Sequence, residues 1–500
     1  MSNSQLLQIH GSDNVAIALV DLPCGTELIH CGNTIKTLDP IPRGHKVAIN
    51  NIPRGEQVIK YGYAIGTASR DIHTGQHVHS HNLTTGLAGP QTYQYSPQQA
   101  SSPFPLPAKL PDKFFGYLRK DGRAGVRNEV WIINTVGCSN GIAAEICRRA
   151  QSIFQSAKLD GIFHFGHPYG CSQLGKDQLQ TQKILAGLVH HPNAAAVLVL
   201  GLGCENNNIT SFRQVLGEVD PDRVKFMEAQ EAGDEVETAL ELLRPLVQYA
   251  ETFTRTELPV SKLVLGLKCG GSDAFSGITA NPLVGYMADF LVTLGGSAIL
   301  TEVPEMFGAE KILMDRAINQ EVFVKIVDMI NGFKTYFQRY NQPVYENPSP
   351  GNKQGGITTL EEKSLGCILK GGHSQVMDVI PYGAQVQKPG LTLLDGPGND
   401  MVAVTALAAA GAQVVLFTTG RGTPLGGPVP TLKIASNDAL AKRKPHWIDF
   451  SAGDLLAGKS MSVMARDLWN QIIAVAGGSK TRNENAGYRE IAIFKDGVTL

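Results

Sequence analysis

Five apolar runs in this chain end alike, in glycine followed closely by a thiol, amide, carboxylate or cation. They are Val136-Gly-Cys-Ser-Asn140, His167-Pro-Tyr-Gly-Cys-Ser172, Gly201-Leu-Gly-Cys-Glu-Asn206, Lys268-Cys-Gly-Gly-Ser-Asp273 and Thr418-Thr-Gly-Arg-Gly-Thr-Pro424. In an open parallel sheet ligands bind beyond the carboxyl ends of strands, where such endings converge. The fullest instance runs from Val264 to Pro282. There Gly270 and Gly271 let the backbone approach a ligand closely, Ser272 and Asp273 suit a helix cap, and Cys269 and Asp273 bring reactive groups to the rim.

Histidine supplies a second kind of chemistry. His77, His79 and His81 alternate, so a strand over Gln76 to Asn82 would line them along one face, where two could hold a cation. His45 and Lys46, in Gly44-His-Lys46, and His167 are further candidates. Two loops, 347–356 with Lys353 and 420–427 with Arg421, combine rigid turns, glycines and one cation, a composition suited to an anion. Neither matches a phosphate loop or a dinucleotide fingerprint. The eight cysteines (24, 31, 138, 147, 171, 204, 269 and 367) are scattered singly. They lack the close spacing of an iron–sulfur cluster, so a mononuclear divalent metal on imidazole and oxygen is the expectation. Reduced thiols also point to the cytoplasm.

The elements that position these groups follow from pattern. A chain of 500 residues with 43% hydrophobic content is expected to bury two or three cores. Lys plus Arg (44) balances Asp plus Glu (45), which removes the electrostatic case for nucleic acid or an anionic membrane. Met401 to Phe417, the most apolar long segment, falls short of the roughly 20 residues of a membrane span and reads as a helix followed by a strand. No signal peptide is read at the N-terminus. Partners are then small molecules, or copies of the chain in a homo-oligomer.

The first eighty residues carry a repeat: Asp21-Leu-Pro-Cys-Gly25, Ile41-Pro-Arg-Gly44, Asn51-Ile-Pro-Arg-Gly55 and Asp71-Ile-His-Thr-Gly75. Each unit reads as a turn feeding a short strand, giving a β-rich domain over 1–85. Residues 86–113, rich in Gly, Pro, Gln and Ser, read as a linker. From Gly116 apolar strands alternate with helical periods, the grammar of an α/β fold with mainly parallel sheets, divided into domains over 114–258 and 259–500.

Taken together, Gly44-His-Lys46, Tyr169-Gly-Cys171, Gly201-Leu-Gly-Cys-Glu205, Cys269 to Pro282, Asn347-Pro-Ser-Pro-Gly-Asn-Lys353 and Thr419-Gly-Arg-Gly-Thr-Pro424 resemble the altronate and galactarate dehydratase family along essentially the whole chain. The resemblance implies an N-terminal β-clip domain of the SAF type, a large α/β catalytic region, and removal of water from a sugar acid to give a 2-keto-3-deoxy acid. It also implies a divalent metal, iron(II) or manganese(II). Such a dehydration takes a weakly acidic proton from C2, stabilises an ene-diolate and protonates the leaving C3 hydroxyl. The expected roles are proton exchange by His45 or His167 with Asp273 in the catalytic wall, and substrate binding by Lys46, Lys353, Arg421, Ser272 and the backbone at Gly270 and Gly271. Metal binding falls to His77, His79 and His81, completed by Glu205 or Asp273. Rival readings are a lyase for another hexonate or a sulfo-acid, and a sugar-acid-binding protein without catalysis.

Overall fold

A computed structural model describes residues 5–98 and 110–499; the expected linker falls partly on 99–109, outside the described residues. The N-terminal unit is built from short antiparallel strands. Leu6–Leu7, Val15–Ala18, Lys46–Ala48 and His77–Val78 form one sheet in that order, and Gln57–Lys60, Tyr63–Ala68 and Leu83–Thr84 form another. The sequence repeat becomes four turns with glycine in the left-handed region, at Gly25, Gly44, Gly55 and Gly75, with φ between 84° and 89°. A side chain there would be strained, which accounts for glycine at the same place in each unit. The units pair through bridges between Leu22 and Ile41 and between Ile52 and Ile72. Each pair is pinned by its acid: Asp21 accepts from the Arg43 N–H and Asp71 from the Arg54 N–H, both at 2.8 Å.

One expectation is corrected here. Pairing stops after His77–Val78, and the chain turns at once, with His79 N–H donating to Asn82 Oδ1 and Asn82 N–H to the His79 carbonyl. His77, His79 and His81 therefore do not line one strand face; a turn gathers them.

The middle unit is a parallel sheet in the order Gly161–His164, Glu129–Asn134, Ala194–Gly201, Val224–Glu228, flanked by helices that include Asn140–Ile153, Gly175–Val189 and Glu235–Ala250. Its entry strand Lys113–Leu118 pairs with its exit strand Thr256–Pro259, so the chain enters and leaves side by side. The C-terminal unit carries seven parallel strands in the order Val376–Ile380, Gly390–Leu394, Ser297–Leu300, Val264–Cys269, Val414–Thr419, Thr431–Ala435, Phe450–Ser451. The apolar segment expected as helix then strand is Asp400–Ala409 followed by Val414–Thr419. Among the described residues no helix is long and apolar enough to cross a membrane.

Buried polar groups join the two α/β units. Arg127 pairs with Glu484 at 2.7 Å and donates to the carbonyls of Val475 and Ser479. His191, fully buried and stacked on Trp131, donates from Nε2 to the Ala412 carbonyl and accepts the Asn193 N–H at Nδ1. Burial, reinforced by nearby arginines, pushes its pKa from 6.5 down to about 3. The unfolded chain binds a proton near pH 6.5 that the folded chain refuses, so stability should fall as pH drops from 6.5 towards 3. Urea unfolding across that range should show a shallower decline in His191→Gln than in the wild type.

Candidate functional site

In the seven-stranded sheet the chain steps from Val264–Cys269 to one side, then crosses back to place Val414–Thr419 on the other. The order therefore reverses between these two strands, the place where open α/β sheets form a crevice. Their loops lock together there, with Gly420 and Arg421 N–H donating to the Gly271 carbonyl at 3.1 and 2.9 Å. Glycine is required by proximity: a Cβ at Gly270 would lie 2.4 Å from Asp400 Oδ2, and one at Gly420 would lie 2.3 Å from Asp273 Cγ. The N–H of Gly270 is used by the Thr418 carbonyl, which corrects its expected role as a donor to ligand. Among the described residues the N–H groups of Gly271 and Ser272 have no acceptor, and the buried Ser272 Oγ has no partner.

Asp273 is placed in this crevice, but its carboxylate is fully engaged. It accepts from Ser276 N–H and Oγ, each at 2.9 Å, from Ser436 Oγ at 2.8 Å and from Asn437 Nδ2 at 2.9 Å. Four donors around one carboxylate make it the clasp between three strand-end loops. The expected reacting or metal-binding role is corrected on that ground.

The N-terminal unit closes the crevice. His45 and His79 direct Nε2 to the carbonyls of Gln354 and Lys353 at 3.1 and 3.0 Å, both in the short helix Pro350–Gln354. A carbonyl only accepts, so in both neutral rings Nε2 carries the proton and Nδ1 keeps its lone pair. His45 Nδ1 lies 3.0 Å from His77 Nε2, and the rings of His45, His77 and His79 are mutually 5.1–5.3 Å apart, with His81 5.5 Å from His77. Burial, with mutual repulsion among the imidazoles, pushes His77 down to about 3, and burial pushes His79 down to about 4. His45 is lowered for the same first reason. Neutral imidazoles oriented by backbone carbonyls are what a divalent metal requires of histidine; the rings of His45 and His79 are held in that way, so the donor chemistry fits one.

Lys46 is corrected. Its ammonium is buried and divides its protons between the Gly356 carbonyl and both oxygens of Glu362, leaving none for a substrate. Lys60 reaches the same carboxylate at 2.7 Å, and Thr358 donates to it from N–H and Oγ1. Burial opposes the charge on Glu362, but the two lysines outweigh it and hold its pKa well below the usual range. Lys46, the more penalised cation, is lowered to about 8 by burial.

His167 and Glu205 are not brought to the crevice. His167 is buried with Nε2 on the Asn134 carbonyl and Nδ1 on the Tyr169 N–H, so neither nitrogen is available to move a proton. Glu205 accepts from Thr135 Oγ1 and from the N–H groups of Leu202 and Gly203, closing its own turn in the middle unit. Lys353 and Arg421, expected to bind substrate, are left as uncommitted cations. Among the described residues the Lys353 ammonium has no hydrogen-bond or ion-pair partner, and the exposed Arg421 guanidinium has one long contact, 3.3 Å to the Gly351 carbonyl.

Beneath the crevice lies a buried charge cluster that the residue patterns did not single out. Lys268 pairs with Glu302 and, at 2.9 Å, with Asp400; Lys370 lies 3.1 Å from Glu302 and 2.9 Å from Cys269 Sγ; Lys363 lies 2.8 Å from Glu305. Cys269 and Cys367 are 3.3 Å apart, and with Glu305 they offer three donor atoms within 4.8 Å of one another. That set has metal-type donors, yet the ammoniums of Lys363 and Lys370 already stand where a cation would be needed. Glu302 takes a left-handed backbone, φ 72°, a strained geometry that clusters at functional sites. The signal available in sequence was charge in or beside apolar runs, Lys268 in Val264–Cys269 and Glu302 two residues after Ser297–Leu300.

Glu362→Gln should leave Lys46 and Lys60 buried without a counter-charge. Urea denaturation should show a loss of about 3–5 kcal/mol.

Comparison with known proteins agrees with this architecture of a β-clip head on two parallel-sheet units. Three family models match in succession: the altronate/galactarate dehydratase SAF domain over residues 4–86, the D-galactarate dehydratase/altronate hydrolase second domain over 116–251, and the D-galactarate/altronate dehydratase C-terminal domain over 260–499. The chain is 51% identical over 498 residues to the altronate dehydratase of Escherichia coli (strain K12), covering 99% of this chain and 100% of that protein. It is 51% identical over 497 residues to the altronate dehydratase of Bacillus subtilis (strain 168), covering 99% of each. The galactarate dehydratase (L-threo-forming) of Escherichia coli (strain K12) is 33% identical over 507 residues, covering 98% and 96%. The fold and crevice thus define a SAF-headed α/β protein. The chain belongs to the altronate/galactarate dehydratase family.

Proposed function

We propose that this chain is a hydro-lyase that removes water from a sugar acid, converting D-altronate to 2-keto-3-deoxy-D-gluconate. The observation that carries the reading is the full-length identity of 51% to two altronate dehydratases, against 33% to a galactarate dehydratase. In this reading the substrate carboxylate lies against Lys353 and Arg421, the cations left uncommitted at the rim. The free N–H groups of Gly271 and Ser272 and the unpartnered Ser272 Oγ meet the charge that develops as C2 loses its proton. His45, kept neutral by burial and with Nε2 held by the Gln354 carbonyl, takes that proton at Nδ1, which rests 3.0 Å from His77 Nε2. Loss of the C3 hydroxyl with a proton gives water and an enol, which tautomerises to the keto acid.

His77 and His79, with His81 beside them, would hold iron(II) or manganese(II). When bound, such an ion polarises the substrate oxygens as a Lewis acid. The Lys353 carbonyl supports the assignment of His79, since it fixes that ring from behind. We place the enzyme in the cytoplasm, in keeping with eight free cysteines, and read it as a homo-oligomer without nucleic-acid or membrane partners.

Protein reconstituted with iron(II) or manganese(II) should release 2-keto-3-deoxy-D-gluconate from D-altronate and much less keto acid from D-galactarate. Turnover of D-galactarate alone would sink the substrate assignment. His79→Ala should lower kcat/KM by at least about 100-fold and reduce bound metal measured by elemental analysis. Full metal content in that variant would remove His79 from the ligand set.

A further inference from the structure

Asp400 opens the helix Asp400–Ala409 at the edge of the crevice, and its Oδ2 lies over Gly270, 2.4 Å from where a Cβ would stand. The next residue, Gly271, turns its own Cβ position towards Arg421, 3.6 Å from the Cβ of that side chain. One dipeptide thus separates a carboxylate from a cation assigned to the substrate carboxylate. Lys353 belongs with Arg421, since its helix Pro350–Gln354 offers the Gly351 carbonyl to that guanidinium. The crevice is therefore polarised, cationic at one end and anionic at the other.

The Asp400 carboxylate is fixed in place but only half used. Lys268 holds Oδ1 at 2.9 Å, while Oδ2 has no donor among the described residues and the side chain is 38% exposed. The neighbouring cations lie out of a guest's reach. Lys268 is buried and shared with Glu302 and the carbonyls of Cys269 and Gly398. Lys433, also buried, donates to the Thr423 carbonyl and forms no ion pair with Asp400. What a guest meets at this end is an acceptor with no proton to give. A hydroxyl placed there donates and is held, whereas a second carboxylate sets acceptor against acceptor with like charges in contact. We propose that Asp400 selects a six-carbon monocarboxylic acid over the dicarboxylic acid of the same carbon chain. Its Oδ2 accepts from the hydroxyl at the far end of the substrate and repels a carboxylate there. This rests on the reading of the chain as a sugar-acid dehydratase whose substrate carboxylate lies at Lys353 and Arg421.

The test compares D-altronate with D-altrarate, which has the same stereocentres and differs only in a carboxylate at C6, on the full chain reconstituted with iron(II) or manganese(II). Asp400→Asn keeps the shape, leaves Lys268 paired with Glu302 and puts an amide donor beside the guest. Asp400→Ser is a second, smaller replacement that also removes the charge. The expected result is a preference for D-altronate in the wild type. In both variants the ratio of the two kcat/KM values should fall by about tenfold or more, with D-altronate losing mainly through KM. A role confined to pairing Lys268 or starting the helix changes both acids alike and leaves that ratio untouched. An unchanged ratio in whichever variant unfolds like the wild type, or a wild type that handles both acids equally, overturns the proposal. Should the protein turn over neither acid, the proposed activity falls by itself, and the same ratio is read from calorimetric affinities. Absence of D-altronate binding there overturns the role of Asp400 as well.

Discussion

One buried carboxylate sets the geometry on which the crevice depends. Glu362, in the helix Leu360–Ile368 of the C-terminal unit, receives Lys46 and Lys60 from two different strands of the N-terminal unit. Three charges without water are tolerated only when all are paired and hydrogen-bonded, so the carboxylate fixes where the β-rich unit stands. That placement brings His45, next to Lys46, within reach of the Gln354 carbonyl and His79 within reach of Lys353. The imidazoles are thus oriented by the same contact that seats the domain, and the crevice has one wall from each unit.

The opposite wall depends on close approach rather than charge. Gly270, Gly271 and Gly420 let the loops after Val264–Cys269 and Val414–Thr419 interlock, and Asp273 fastens them to Ser436 and Asn437 beyond a third strand. Below them Lys268, Lys363 and Lys370 neutralise Glu302 and Glu305 around Cys269 and Cys367. A cluster of this kind stabilises little, because desolvation offsets its ion pairs, but it admits few alternative arrangements. It gives the glycine loops a rigid floor, and Glu302 holds its strained backbone there through contacts with Lys268, Lys370 and the Cys269 N–H.

Much of the fold was legible because local rules govern it. The four glycine turns, three of them Pro-x-Gly, the alternation of strands and helices after Gly116, and the glycine endings of strands each carry their own conformational reason within a few residues. The same locality explains what was misread. Alternation at His77, His79 and His81 implies a shared strand face only while pairing continues, and the Asn82 side chain ends it after Val78. Lys46 and Asp273 have the chemistry of site residues but are consumed by partners hundreds of positions apart or across three loops. His167 and Glu205 close turns within their own sheet.

By itself the sequence determined the α/β class, the β-rich head, the glycine strand ends and the supply of imidazole, thiol and cation. These follow from backbone sterics and hydrophobic period, which act between near neighbours. Only the tertiary structure decided which groups are free to react. Availability depends on whether a distant donor or acceptor has already satisfied a side chain, and Lys353, Arg421 and Ser272 differ from Lys46 and Asp273 in that respect. Such pairings join residues as far apart as 46 and 362, a separation over which no local pattern carries information.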